Sequence, residues 1–272
     1  MSRSPGTSWS PSRLARVEES YDTSMGTTRV KTDATWGYLK ALGNRQGPHA
    51  LACEFVGTQL AGWFGLKIAD FAILDLPQEA CFDLPRNAKT EPGPAFVSRH
   101  VDGATWGGTE EELRNLENPG DITRLVVFDT WVRNCDRHPP DLNKRKPNYA
   151  NVYLASTDRP TRSRLLAIDQ THCFDCGRDL TTRVAEIANT NDARTYGLFP
   201  AFSPFVSPFE LTWCASMLRQ LTADEVHTIV EGIPAAWDVA PLARTALCEL
   251  ICRRATYLAD RISSGWQPGD RS

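Results

Sequence analysis

The segment Asn134-Cys135-Asp136-Arg137-His138 is followed by Asn151-Val152-Tyr153-Leu154 and then by Ala167-Ile168-Asp169-Gln170. Two aspartates and an asparagine in this order suit one kind of chemistry. Asp136, at the start of a loop, can orient an attacking hydroxyl or accept its proton. Asn151 and Asp169, at the ends of two short strand-like runs, can converge on one divalent ion. Magnesium prefers oxygen ligands and takes few from protein, the rest coming from phosphate and water. Phosphoryl transfer needs such positioning and charge neutralisation. Asn148 and Asp141 lie in the polar stretch before Asn151 and are rivals to it for the metal.

Upstream, Lys40 lies on a strand-like run and Glu54 near the start of the helix that follows. In phosphoryl transfer such a lysine neutralises phosphate charge and the glutamate holds it in place. Each feature alone has a plainer reading. Asp136 could cap a turn in a solvated loop. Lys40 and Glu54 could form a surface ion pair, and Gly26-Thr27-Thr28 an ordinary hairpin turn. Together, and in this order, the elements favour a catalytic centre.

These residues need elements to hold them. Thr28–Thr32 and Trp36–Leu42 read as two strands joined at Asp33-Ala34-Thr35. His49–Phe64 carries Leu51, Phe55, Leu60 and Trp63 at helical spacing, with Gly65 as a stop. Ile68–Leu76 and Pro94–Val101 read as two more strands. The second half reads as helices: one from Thr109-Glu110-Glu111-Glu112, then Asp121–Asn134, Thr181–Ala188, Pro208–Leu218, Thr222–Gly232 and Pro241–Ile262. Two short strands, Asn151–Leu154 and Arg164–Asp169, interrupt them. Asn189–Ser207 reads as a packed loop. The expected fold class is α+β: a small sheet-rich N-terminal lobe and a larger helical C-terminal lobe with a cleft between them.

Composition sets outer bounds. The 272 residues carry a net charge of -3, which gives no global attraction to nucleic acid or to anionic membrane. No stretch has the roughly 20 apolar residues of a membrane helix. The opening MSRSPGTSWSPSR lacks the apolar run of a secretory signal. The expectation is a cytoplasmic protein whose eight cysteines are reduced. Cys173-Phe174-Asp175-Cys176 has the spacing of a zinc or redox pair. No second close pair completes a zinc site, although His172 is adjacent. Cys248 and Cys252, one helical turn apart, read as core.

Further short segments carry a family resemblance. They are Met25-Gly26-Thr27-Thr28, Tyr38-Leu39-Lys40, Leu51-Ala52-Cys53-Glu54, Gly65-Leu66-Lys67-Ile68-Ala69 and Ile233-Pro234-Ala235-Ala236-Trp237. With the Asp-Arg-His loop and the downstream Asn and Asp, the chain resembles the HipA-like kinases, especially their short single-chain bacterial branch. It is more distantly similar to the phosphatidylinositol kinases. The resemblance covers roughly residues 23 to 240.

The resemblance implies a bilobal protein-kinase-like fold with ATP and Mg2+ as cofactors. It divides the chain into a disordered tail over 1–15, a nucleotide-binding lobe over 16–101 and a catalytic lobe over 102–272. Asp136 would be the base or hydroxyl-orienting residue, and Asn151 and Asp169 the magnesium ligands. Lys40 would bind phosphates and pair with Glu54. Gly26, Thr27 and Thr28 would cover the phosphates through backbone N–H groups. Phe96–His100, including Val97 and Ser98, would connect the lobes and contact adenine. The acceptor class implied is a protein Ser or Thr. An antitoxin-like partner is implied too, with no direct nucleic-acid binding and no membrane. Two alternatives stay open. The family's usual Asn position is held here by Asp141, and the phosphate loop lacks a multi-glycine pattern, so a nucleotide-binding pseudokinase acting as an interaction module is one. A small-molecule or lipid-headgroup kinase is the other.

Overall fold

The computed structural model describes residues 9–269. Strand β1 (Leu14–Ser20) pairs with β2 (Thr28–Thr32), which pairs with β3 (Trp36–Lys40). The β2–β3 turn closes on one side chain: Thr32 Oγ1 donates to the Thr35 carbonyl at 2.8 Å and accepts from the Ala34 and Thr35 N–H groups. Helix α1 (Pro48–Trp63) follows. Pro48 suits the first helical turn, where its missing N–H costs nothing. Gly47 before it sits at φ +82°, a conformation that favours glycine.

Strand β4 (Phe71–Leu76) comes next, then the small hairpin β5 (Asp83–Leu84) and β6 (Ala88–Lys89). β7 (Gly93–Arg99) completes an antiparallel sheet of order β1-β2-β3-β7-β4. Alternation along these strands sets the two faces. Val30, Leu39, Leu74, Ala95 and Val97 bury one face beneath Trp9. Lys40 and Phe96, one residue out of phase, point to the α1 side. α1 packs against both β7 and the C-terminal helices, which explains why it is buried on nearly every face.

The chain leaves this sheet at Arg99 and enters a second one at β8 (Gly103–Thr105). A short helix α2 (Glu110–Arg114) starts at a reciprocal Thr109–Glu112 capping box, and the buried α3 (Gly120–Val132) follows. β9 (Val152–Ser156) lies between β8 and β10 (Ser163–Ala167). Then come the single turns α4 (Cys173–Cys176) and α5 (Ile187–Thr190), and the longer α6 (Pro208–Gln220), α7 (Ala223–Glu231) and α8 (Pro241–Ser263). Arg254 of α8 is fully buried and donates to the carbonyls of Thr130, Trp131 and Asp192. It thereby satisfies the orphan C-terminal carbonyls of α3.

The expected sheet-rich first half and helical second half are present, with differences in detail. Of the tail expected over 1–15, residues 1–8 lie outside the described residues. Trp9 is buried, and Leu14 already belongs to β1. This extra strand turns Gly26-Thr27-Thr28 into part of a β1–β2 hairpin loop rather than a lead-in. β8 is a further strand beyond those expected. The helix expected over Thr181–Ala188 is two short pieces, a 3-10 turn Thr182–Ala185 and α5. The loop before α6 contains a 3-10 turn at Pro200–Phe205.

Trp9→Ala tests whether the N-terminal residues belong to the fold. Removing this indole from beneath the sheet should cost roughly 3 kcal/mol in urea denaturation. An unchanged midpoint would contradict its burial.

Candidate active site

Three charged side chains meet at the C-terminal end of β3, the central strand of the first sheet. Lys40 Nζ lies 3.0 Å from Glu54 Oε2 and 3.1 Å from Asp169 Oδ1. The Lys40 and Glu54 side chains are under a tenth exposed and that of Asp169 about a third. Burial alone would push the Lys40 ammonium down, but Asp169 and Glu54 outweigh it and hold the pKa above its ordinary value. Burial raises Glu54 despite Lys40. Burial would also raise Asp169, yet Lys40, the Thr171 hydroxyl and His172 bring it down to about 2. Lys40 and Asp169 are therefore charged throughout the neutral range. Glu54 Oε2 also accepts the Gln170 N–H at 2.8 Å, and Thr171 Oγ1 donates to Asp169 Oδ1 at 2.8 Å. Asp169 itself sits at φ +55°, a left-handed conformation that costs a non-glycine residue on the order of 1 kcal/mol.

Asp136 belongs to a second network. α3 stops at Arg133 in the left-handed conformation, and Asn134 Oδ1 then accepts the Asp136 N–H at 3.1 Å. One Asp136 oxygen, Oδ2, accepts from Asn151 at 2.8 Å and from Asn148 at 3.3 Å. The other, Oδ1, takes Arg145 at 2.7 Å. Asn151 Oδ1 accepts from Asn148 at 3.0 Å. The two rivals for the metal now separate. Asn148 is a partner of both Asp136 and Asn151. Asp141 caps its own turn, accepting from Asn143 N–H and pairing with Lys144.

Arg137 joins the networks. It is fully buried, forms an ion pair with Asp129 of α3, and donates to the carbonyls of Asn151 at 2.9 Å and Ile168 at 2.6 Å. His138 packs its ring edge-on against Phe199 and accepts the Gly197 N–H on its carbonyl. Burial lowers its pKa.

A cavity of about 320 Å³ opens between the two sheets, lined by Thr27, Lys40, Glu54, Phe96, Ser98, Val101, Asn151, Ile168 and Asp169, among others. Its walls combine apolar side chains with the charged set, as nucleotide sites do. Ser98 faces the cavity, whereas the Val97 side chain is buried on the far side of the sheet. The crossing between sheets runs over His100–Asp102, slightly later than the expected Phe96–His100. In the β1–β2 loop, Thr23 and Thr27 line the cavity. Gly26 sits at φ +60° with Leu84 against its Cα, and Thr28 is buried with its hydroxyl on the Gly26 carbonyl. The N–H groups of Gly26 and Thr27 donate to Thr23, at 3.1 and 3.0 Å.

Among the described residues, no group of three or more His, Cys, Asp or Glu side chains is placed to hold a metal. Asp169 and Asn151 fit a hard cation differently, as two oxygen-bearing side chains that line one cavity, with the remaining ligands left to phosphate and water. Sequence reasoning missed the roles of Asn134, Thr171 and Arg145. Only Asn134 carried a local signal, its place two residues before Asp136.

A five-stranded antiparallel sheet backed by one helix, a helical C-terminal region and a lysine–carboxylate set in the intervening cleft define a kinase fold. The crystal structure of the Helicobacter pylori proinflammatory kinase CtkA matches it with a TM-score of 0.58, covering 94% of this chain and 98% of that one at 9% identity. The chain belongs to the HipA-like kinase family, whose model matches residues 30–264. HipA of Shewanella oneidensis MR-1, solved with HipB and operator DNA, gives a TM-score of 0.33 at 12% identity, covering 98% of this chain and 69% of that one. No curated protein matches the sequence. Among the described residues, no helix is long and apolar enough to cross a membrane.

Lys40→Ala should reveal the charge set through pH. The lowered Asp169 pKa adds stability above the unfolded value, lost only as pH falls toward about 2. Without the ammonium, Glu54 and Asp169 become neighbouring carboxylates whose folded pKa values rise. Stability then falls as pH climbs from the unfolded to the raised values. The variant should lose roughly 3–5 kcal/mol at about pH 8 and clearly less at about pH 5, by urea denaturation. A loss independent of pH would contradict the assignment.

Proposed function

We propose that this chain is an ATP- and magnesium-dependent kinase that passes the γ-phosphoryl group to a serine or threonine hydroxyl of a protein. The observation that carries the reading is Lys40, held between Glu54 and Asp169 in the cavity, with Asn151 lining the same cavity and hydrogen-bonded to Asp136. Family membership supports the reaction class and the protein acceptor.

In this reading Lys40 neutralises phosphate oxygens, and Glu54 keeps its ammonium from collapsing wholly onto Asp169. Asp136, its carboxylate aimed by Asn151 and Asn148, orients the acceptor hydroxyl and takes its proton as the phosphoryl group leaves ATP. Magnesium, held by Asp169 and Asn151, would supply charge neutralisation on the phosphates. Phe96 and Ile168 give the base an apolar seat. Gly26 and Thr27 spend their N–H groups within their own loop, which favours the second reading, a nucleotide-binding interaction module.

Transfer from γ-labelled ATP, followed with and without magnesium, separates the two. Asp136→Ala and Asp169→Ala should each reduce phosphoryl transfer by at least about 100-fold while the chain remains folded. Asp141→Ala should have little effect. ATP binding without transfer, unaltered by Asp136→Ala, would establish the interaction module instead.

A further inference from the structure

The loop between Arg137 and Asn151 carries the run Lys144-Arg145-Lys146. The chain as a whole has a net charge of -3, so any attraction to an acidic partner must be local. Asp141 is the only acidic residue of this loop, and it is occupied. It pairs with Lys144 at 3.3 Å, and its carbonyl accepts the Lys144 and Arg145 N–H groups at 3.2 and 3.3 Å. The other end of the loop is tied by Asn148, whose N–H donates to the Arg137 carbonyl at 2.9 Å. Between these ties the Arg145 side chain turns inward to Asp136 Oδ1 at 2.7 Å. Lys146 beside it is exposed.

The Arg145 guanidinium is only partly engaged. Among the described residues Asp136 is its sole protein partner, and the side chain is about a third exposed. Its remaining N–H groups are not buried and open to solvent. Asp136 is the reverse, close to saturated. Oδ2 already accepts from both Asn151 and Asn148. A hydroxyl that reaches this carboxylate therefore takes the remaining lone pair of Oδ1, alongside Arg145. Neither Asp136 nor Arg145 lines the cavity between the sheets. The open donors of Arg145 thus flank the acceptor side of the centre and not the nucleotide side.

We propose that Arg145 is an acceptor-specificity residue that selects a serine or threonine lying beside an aspartate or glutamate. The proposal rests on the kinase reading of the site and names its substrate class. The guanidinium keeps one N–H on Asp136 and offers the others to the incoming carboxylate, in the paired geometry that arginine favours. A neutral side chain at that place leaves these donors to water. A basic one meets repulsion from Arg145 and Lys146. Charge-assisted hydrogen bonds of this kind are strong enough to separate acidic from neutral acceptors by about tenfold.

The test uses the full chain, γ-labelled ATP with magnesium, and serine peptides identical except for one flanking residue, set to Asp, Ala or Lys at each position in turn. At the favoured position the Asp peptide should exceed the Ala peptide in kcat/KM by at least about tenfold, with the Lys peptide poorest. Raising salt from about 0.05 M to about 0.5 M should shrink that ratio. Arg145→Ala should level the Asp and Ala peptides, Arg145→Glu should make the Lys peptide the best, and Lys144→Ala should keep the wild-type order. Arg145 variants that slow every peptide alike and preserve the ratio would make Arg145 a brace for Asp136. A rise confined to the KM for ATP would make it a phosphate contact. Either result overturns the proposal, as does a wild type indifferent to the flanking charge. Peptide binding, followed by fluorescence anisotropy, separates this proposal from the kinase reading. Tighter binding of the Asp peptide, lost in Arg145→Ala, with no transfer to any peptide would refute the kinase reading and uphold recognition of an acidic segment. Equal binding of all peptides would overturn that recognition.

Discussion

One buried guanidinium fixes the geometry of the site. Arg137 has no exposed surface, and its donors reach the Asp129 carboxylate and the carbonyls of Asn151 and Ile168. These belong to three separate stretches of chain: the helix before the catalytic loop, the approach to β9, and the end of β10. Burying a charge costs several kcal/mol unless every donor finds a partner. None of the three stretches can therefore drift without leaving a charge unpaired in the core. Asp136, Asn151 and Asp169 inherit their spacing from this constraint, since each lies within one residue of an anchored point.

A second constraint links the sheet to that frame. Lys40 is drawn across the cleft toward Asp169, while Glu54 both shares the ammonium and accepts the Gln170 N–H. Glu54 thus touches the sheet and the segment after β10 at once. The backbone bears part of the cost, because Arg133 and Asp169 adopt left-handed conformations at the two ends of the centre. Arg133 is held there by its ion pair with Asp192 and its bond to the Phe174 carbonyl. Strained non-glycine residues persist only where surrounding contacts over-determine them, and these two flank the candidate centre.

The residues of the candidate centre could be singled out because phosphoryl transfer, the chemistry proposed for them, restricts residue types at each position. Lys40, Glu54, Asp136, Asn151 and Asp169 stood out by type and order, and the fold gathers them into two networks that Arg137 joins, with all but Asp136 lining one cavity. Apolar residues at helical spacing and the Gly65 stop also made α1 readable. β1 was not, because it is almost wholly exposed and shows no alternation of apolar and polar residues. Trp9 hid in a Ser- and Pro-rich stretch, and its burial depends on a sheet face formed by strands far along the chain. The Thr181–Ala188 segment had helical spacing but breaks at Glu186, which takes an extended ψ. Arg145 lies in the basic run Lys144-Arg145-Lys146, which as a sequence reads as a solvated loop. It reaches back to Asp136, a long-range contact that spacing cannot encode.

The most direct test of the account is a crystal structure of the chain with magnesium and a non-hydrolysable ATP analogue. The account predicts nucleotide in the cavity between the two sheets, Lys40 on its phosphates, and one magnesium ion touching Asp169 and Asn151, with Asp136 facing the γ-phosphate. An ion held by Asp141, or nucleotide bound outside this cleft, would contradict it.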